Sequence, residues 1–105
     1  MDGINIFGIE PRTFRLIPRV LAAFPEIDEA IIFGSRATGK FRNGSDIDIA
    51  IRGKKLNAEI VDDFRSTITS LPSPYYFDIV YLDELADDLL RKEIYTFGKF
   101  FYKNS

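Results

Sequence analysis

Apolar residues recur at helical spacing in three stretches of the 105-residue chain. Residues 11–24 and 56–71 carry apolar side chains three and four positions apart, which predicts two amphipathic helices. Within the first of these, Pro18 predicts a kink or a restart. A third helical pattern begins at Asp83, the predicted N-cap, and ends at Gly98, the predicted stop.

Shorter apolar stretches between the helices predict strands. Residues 30–33 form a continuous apolar run that ends at Gly34, as expected for a buried strand that leads into a turn. Residues 46–51 alternate, so that a strand would place three isoleucines on one face and two aspartates on the other. Residues 75–82 are rich in aromatic and β-branched side chains, and Lys99–Lys103 predicts a short edge strand.

This order of elements predicts the fold class. A helix, a strand, a turn, a strand, a helix, a strand and a final helix indicate an α/β (α+β) protein with a single small mixed β-sheet and helices packed against it. Hydrophobic residues make up 46% of the chain and charged residues 29%, which favours an ordinary globule over a disordered segment. We therefore expect one domain that spans residues 1–105.

Charge and composition exclude several classes of function. The formal net charge of -2 offers no positive field for nonspecific nucleic-acid binding. The chain has no cysteine and no histidine, so thiolate nucleophiles, imidazole bases and the usual zinc sites are excluded. The amino-terminal sequence lacks a basic leader, and no apolar run approaches eighteen residues, so neither a targeting peptide nor a membrane helix is predicted. We expect a cytoplasmic protein whose chemistry depends on carboxylates, hydroxyls, lysines or hard metal ions.

The chemical signal lies in the stretch GSRATGKFRNGSDIDIAI, residues 34–51. Gly34 lacks a side chain and lets the backbone approach a phosphate, and Ser35 can offer a hydroxyl and an amide at the start of a short helix. After ten intervening residues, Asp46 and Asp48 are two positions apart on the predicted strand, so they project from the same face about 7 Å apart. The stretch therefore predicts a phosphate-binding turn beside a pair of carboxylates.

A third acid, Asp78, lies in the middle of the predicted strand at residues 75–82. If that strand is next to the strand of Asp46 and Asp48, three carboxylates share one face and can hold metal ions. Oxygen-only ligands suit Mg²⁺, with Mn²⁺ as an alternative, and a pair of ions would serve an in-line displacement at phosphorus. This arrangement predicts catalysis by positioning and charge neutralisation.

The Gly-Ser pair, the ten-residue spacer and the Asp-x-Asp motif resemble the minimal nucleotidyltransferase family of the polymerase-beta-like superfamily. The resemblance spans about residues 28–82. It implies transfer of a nucleoside monophosphate, usually AMP from ATP, to a hydroxyl, with two magnesium ions and release of pyrophosphate. By this resemblance Asp46 and Asp48 are metal-binding acids, and Asp78 is the third acid, which helps to deprotonate the acceptor.

The same resemblance implies a nucleotide-phosphate site at Gly34 and Ser35, to which we add Arg36 and Ser45 as candidate nucleotide-binding residues. Members of the family often act with an all-helical partner of the HEPN type, and several are antitoxins that adenylylate a tyrosine of that toxin. A HEPN-type partner protein and ATP are therefore the expected partners, and homo-oligomerisation is left open.

Several readings stay open at the level of sequence. The acids could form a solvated face of an edge strand, and Arg36 could belong to a basic surface loop. Ser45 could orient a carboxylate or only initiate a strand. An aromatic cluster near the carboxyl end could pack in the core or face a partner, and it comprises Phe97, Phe100, Phe101 and Tyr102. The alternative function is a catalytically idle module that binds nucleotide and partner.

Overall fold

The structure is a computed structural model that describes residues 5–104. Its helices are α1 (Pro11–Ala22), α2 (Ser35–Thr38), α3 (Ala58–Thr69) and α4 (Asp88–Phe97), and a 3-10 turn occupies Leu82–Glu84. Its strands are β1 (Glu29–Phe33), β2 (Ile47–Arg52), β3 (Phe77–Tyr81) and β4 (Lys99–Lys103).

The four strands form one mixed sheet in the order β3-β2-β1-β4. Strand β1 is antiparallel to both β2 and β4, whereas β2 and β3 are parallel and are joined through α3. A parallel pair needs a crossover connection of this kind. The predicted mixed sheet with packed helices is confirmed, and so is the edge strand β4.

Alternation along the strands divides the sheet into two faces. One face packs under α1 and α3 in the larger core cluster, to which the strands contribute Ala30, Ile32, Ile47, Ile49, Ile51 and Ile79. The opposite face carries a smaller cluster beneath α4, composed of Ile31, Phe33, Ala50, Leu82 and Ile94. The alternating sequence at residues 46–51 therefore places its isoleucines in the larger core, as predicted.

Two predictions about the helices differ from the structure, one inside α1 and one at the start of α4. Helix α1 runs through Pro18 without a restart, because burial of Ile17 and Leu21 holds the helix where one backbone hydrogen bond is missing. Asp83 does not cap the last helix. Its carboxylate accepts a hydrogen bond from the Gly53 amide at 2.9 Å, and the cap is Asp87, whose Oδ1 accepts from the amide of Leu90.

The carboxyl-terminal aromatic residues have two different environments. Phe101 packs edge-on against Phe7 and Phe14, with ring centroids 6.3 and 5.9 Å apart, so it belongs to the core. Phe97 and Phe100 are 54% and 59% exposed. Core packing is thus observed for Phe101, and a partner contact stays a prediction for the two exposed phenylalanines. Between residues 5 and 104, no helix is both long and apolar enough to cross a membrane.

Candidate active site

Three aspartates lie on the sheet face that carries α4. In the parallel pair β2 and β3, Asp48 is directly opposite Asp78. Asp46 precedes β2 by one residue, and the bond from the Ile47 amide to the Tyr76 carbonyl, 2.9 Å long, extends the ladder to its position. Because residues two apart on a strand share a face, all three carboxylates project from the same side. Asp46 and Asp78 are exposed and Asp48 is half-buried, so this end of the face is open.

Asp48, the central acid of the three, has a raised pKa as a result of this arrangement. Its pKa is raised from 3.8 to about 6, first by burial and then by the charges of Asp78 and Asp46, while the charge of Arg36 lowers it. The three acids are therefore close enough for their charges to interact. Such a concentration of negative charge favours binding of a cation.

Gly34 connects β1 to α2 at the edge of this acidic group. Its φ of 73° lies in the region that favours glycine, and a Cβ built there would collide with Oδ2 of Asp48. Ser35 is the first residue of α2, whose single turn ends at Gly39 in a left-handed conformation. The predicted turn and short helix are confirmed, and the turn lies against a carboxylate of the predicted site.

Arg36 lies inside the protein, with 2% of its surface exposed. Its Nε and one terminal nitrogen donate to the Ser45 carbonyl at 3.2 and 2.9 Å, and the other terminal nitrogen donates to the carbonyls of Phe7 and Gly8. Its burial rules out the alternative reading of Arg36 as part of a basic surface loop. A nucleotide contact by Arg36 stays a prediction, and four of its donor contacts already go to backbone oxygens.

Ser45 lies next to Asp46 in the chain. Its hydroxyl oxygen accepts a hydrogen bond from the Arg42 amide at 2.8 Å, and its own amide donates to the Arg42 carbonyl at 3.0 Å. These bonds close the turn that contains Gly44 and leads into β2. The structure thus gives Ser45 a role in turn formation, and contact with a nucleotide stays a prediction.

The donor set fits a hard divalent ion, although the site is not preorganised. Within residues 5–104, no group of three carboxylates is already spaced to enclose a metal ion. The three acids nevertheless supply only oxygen donors, share an open face and repel one another. Ions such as Mg²⁺ accept one or two protein carboxylates and complete their shell with water and substrate phosphates. Asp46, Asp48 and Asp78 are the residues that would hold it.

Tyr76 is a candidate that the sequence motif does not include. It stands beside Asp46 across the ladder, faces away from the core-packed Phe77, and is 78% exposed. A large aromatic side chain with so little burial adds little to folding. The only sequence signal for it is its position two residues before Asp78, on the same face.

The sequence of residues 16–105 matches the family described as "Polymerase beta, Nucleotidyltransferase". The chain belongs to this nucleotidyltransferase family. A comparison with curated protein sequences gave no significant match. The acidic face is accordingly the candidate active site of this nucleotidyltransferase domain.

Solved structures share the fold of this nucleotidyltransferase domain. A toxin-antitoxin complex with AMP-PNP is similar to it with 24% identity and a TM-score of 0.71, covering 88% of this chain and 74% of the other. A complex of tri-AMPylated HEPN toxin with MNT antitoxin, from Shewanella oneidensis, has 22% identity and a TM-score of 0.66, covering 89% and 71%. A putative nucleotidyltransferase from Sulfolobus solfataricus has 23% identity and a TM-score of 0.55, covering 89% and 82%.

Proposed function

We propose that this protein transfers AMP from ATP to a hydroxyl group on a partner protein. The observation that carries the proposal is the register of β2 and β3, which sets Asp48 opposite Asp78 on an open face, beside the Gly34 turn. The family match supports nucleotidyl transfer as the reaction class. Clustered carboxylates also disfavour a purely structural role, because their mutual repulsion does not stabilise the folded state.

The acidic face has a different element on each of its two sides. Across the sheet, the turn of Gly34 and Ser35 follows β1 on one side of Asp46, and β3 with Asp78 lies on the other side. We assign the triphosphate to the turn and the acceptor hydroxyl to β3. Ser35 would then donate its hydroxyl to a phosphate oxygen, and Asp78 would lie beside the nucleophile.

In the proposed reaction, the acceptor oxygen forms a bond to the α-phosphorus of ATP. The bond between that phosphorus and the oxygen bridging to the β-phosphorus breaks, and pyrophosphate leaves with the electron pair. Asp78 takes up the acceptor proton as the new bond forms. Asp46 and Asp48 would hold a divalent cation, which would supply neutralisation of phosphate charge and a lower pKa for the acceptor hydroxyl.

The partner is proposed from the structural neighbours. Two of them come from toxin-antitoxin complexes, one with AMP-PNP and one with a tri-AMPylated HEPN toxin bound to an MNT antitoxin. We propose that this protein is likewise an antitoxin, that its partner is an all-helical HEPN-type protein, and that a partner side-chain hydroxyl is the acceptor. The reaction would take place in the cytoplasm.

The test is to purify the protein with the product of the neighbouring reading frame and to incubate the pair with ATP and magnesium. Intact mass spectrometry should show one or more adenylate additions to the partner, and chelator should prevent them. The same experiment with Asp46→Asn should give no addition while the complex still forms. An unmodified partner in the presence of fresh magnesium and ATP would contradict the proposal.

The second candidate is a catalytically idle antitoxin, which binds nucleotide and partner without transfer. Under this alternative, Asp78→Asn would neutralise the partner as well as the parent protein does, and neither protein would transfer adenylate. Neutralisation and transfer should therefore be measured on the same two proteins.

A further inference from the structure

The guanidinium of Arg36 lies at the meeting point of three chain segments. It projects from α2, it reaches the carbonyls of Phe7 and Gly8 near the amino end, and it reaches the carbonyl of Ser45. The contacts to Phe7 and Gly8 join residues 29 and 28 positions apart. Ser45 is the residue before Asp46, so a single buried side chain connects the Gly34 turn to the start of the acidic strand.

Two aromatic rings enclose this guanidinium. Its central carbon lies 5.0 Å from the centroid of the Phe41 ring and 4.8 Å from that of the Tyr75 ring. The Tyr75 hydroxyl in turn accepts a hydrogen bond from the Glu10 amide at 2.8 Å. A buried cation held by neutral carbonyls and ring faces is well fixed, because both types of contact strengthen away from water.

We call Arg36, Phe41 and Tyr75 the Arg36 clamp. The backbone beside the clamp leaves space for its side chains. Gly8 has a φ of 65°, and a Cβ there would collide with the Phe41 ring. The segment between α2 and β2 contains no helix or strand of its own, and its local bonds are the turn bonds of Arg42 and Ser45 and a bond from the Lys40 amide to the Ser35 carbonyl. Asp46 is held through its two neighbours, because Arg36 donates to the Ser45 carbonyl before it and the Ile47 amide after it donates to the Tyr76 carbonyl. The bonds from Arg36 to Ser45 therefore fix the side of Asp46 that faces the Gly34 turn.

We infer that Arg36 is a positioning residue, which sets the geometry of Asp46 relative to the Gly34 turn without contacting the nucleotide. Lysine cannot replace it, because a single ammonium group lacks the planar fork of donors with which the guanidinium reaches both the Ser45 and the Phe7 carbonyls. A misplacement of a reacting group by about 1 Å can cost roughly 100-fold in rate. The inference rests on the proposed function only for its kinetic test.

The test compares Arg36→Lys with a matched control, Arg91→Lys. Arg91 is partly buried and, like the fully buried Arg36, donates to backbone carbonyls, those of Leu82 and Leu85, but it lies beyond the other end of β3. Both substitutions should lower stability by a similar amount. Only Arg36→Lys should lower kcat for adenylate transfer, by about 10- to 100-fold, with KM for ATP changed less than about threefold.

A second measurement does not depend on transfer. Hydrogen exchange at the bonded amides on either side of Asp46, those of Ser45 and Ile47, should accelerate at least about tenfold in Arg36→Lys and stay unchanged in Arg91→Lys. If Arg36→Lys does not fold, Phe41→Leu removes one ring of the clamp and should change exchange and kcat in the same direction, to a smaller extent. A parent protein without transfer would contradict the proposed function, and the exchange measurement would still decide the role of Arg36.

Three results would overturn the inference. One is unchanged kcat and unchanged exchange in Arg36→Lys. Another is a loss of ATP affinity as large as the loss of kcat, which would indicate direct contact with the nucleotide. The third is an equal loss of kcat in Arg91→Lys, which would show that kcat reports only general destabilisation.

Discussion

At the scale of single residues, the acidic face is a source of instability in the absence of a cation. The pKa of Asp48 is raised to about 6, chiefly by burial and then by the neighbouring acids. Between its unfolded pKa near 3.8 and this value, the folded state binds more protons than the unfolded state. Ionisation of Asp48 therefore lowers the free energy of unfolding as the pH rises through that window.

Asp48→Asn should consequently stabilise the metal-free protein at pH 8, by about 1 kcal/mol once solvent screening of this half-exposed group is allowed for. The gain should vanish as the pH falls below the unfolded pKa of 3.8, where the folded and unfolded parent proteins are both largely protonated. Urea unfolding in the presence of chelator measures both values. Asp63→Asn, at an exposed position on α3, is the control and should show no such pH dependence. A destabilised Asp48→Asn at pH 8 would contradict the electrostatic argument.

Asp78 is predicted to act on the rate more than on nucleotide binding. Asp78→Asn keeps the shape of the side chain but cannot take up a proton, so adenylate transfer should fall at least ~100-fold. Affinity for ATP with magnesium should change far less, because Asp46 and Asp48 remain. Single-turnover kinetics and calorimetry on the same variant separate the two quantities. Equal losses of rate and affinity would instead place Asp78 in the nucleotide site.

Tyr76 should contribute to acceptor binding, since it is a nearly unburied ring on the β3 side of the acids. Tyr76→Ala should raise KM for the partner about tenfold, the order expected for loss of one aromatic contact, and leave KM for ATP unchanged. Tyr76→Phe, which keeps the ring, should behave like the parent protein. A change in KM for ATP would move this residue to the nucleotide side.

At the scale of elements, two of the helices that pack on the sheet, α3 and α4, begin at side-chain caps. Asn57 precedes α3 and accepts a hydrogen bond from the Ile60 amide at 2.9 Å, and Asp87 does the same for α4. Helix α3 carries the fully buried Phe64 and Ile68 across the sheet and joins β2 to β3. The Asn57 cap therefore stabilises the connection that makes β2 and β3 parallel neighbours.

Asn57→Ala should lower the free energy of unfolding by about 1 kcal/mol, and Asn57→Asp should restore most of it, because aspartate is an equally good cap. Urea unfolding gives both values. Nucleotide binding measured well below the melting temperature should be the same in all three proteins, since the cap is remote from the acids. Altered binding in Asn57→Ala would show that the start of α3 influences the site.

At the scale of the whole molecule, ligand binding and folding should be linked through the acidic face. A ligand that binds only the folded state stabilises it, by ~2.7 kcal/mol when its concentration is 100 times Kd. Magnesium and ATP together relieve the repulsion among the carboxylates, whereas ATP alone adds negative charge to them. We therefore expect the two ligands to stabilise the fold jointly.

Urea unfolding of the parent protein with ATP and magnesium should show this stabilisation, and replacement of magnesium by chelator should remove it. Asp46→Asn should weaken the effect, because one of the cation's ligands is lost. Adenosine at the same concentration is a control without phosphates. Equal stabilisation by ATP with magnesium and with chelator would be inconsistent with a cation-dependent site.

Local sequence determined the elements whose signals lie within a few residues. The alternation at residues 46–51 placed the isoleucines in the core and the acids on the other face, because side chains alternate along any strand. The glycine at the end of β1 marked the turn, since its backbone conformation and the nearby Asp48 carboxylate admit no Cβ. The motif spacing was sufficient to indicate the family, and the roles of the individual acids stay predictions.

Tertiary structure alone decided what depends on partners distant in sequence. Asp83 and Asp87 are equally good caps locally, and the contact of Asp83 with the Gly53 amide determined which one begins α4. Arg36 lies in a stretch whose composition is typical of a surface loop. Its side chain is nevertheless buried, where it donates to the carbonyls of Phe7 and Gly8. The strand order that brings Asp78 beside Asp48 likewise depends on packing of α3 across the sheet, because a local pattern specifies which face a residue occupies but not which strand lies next to it.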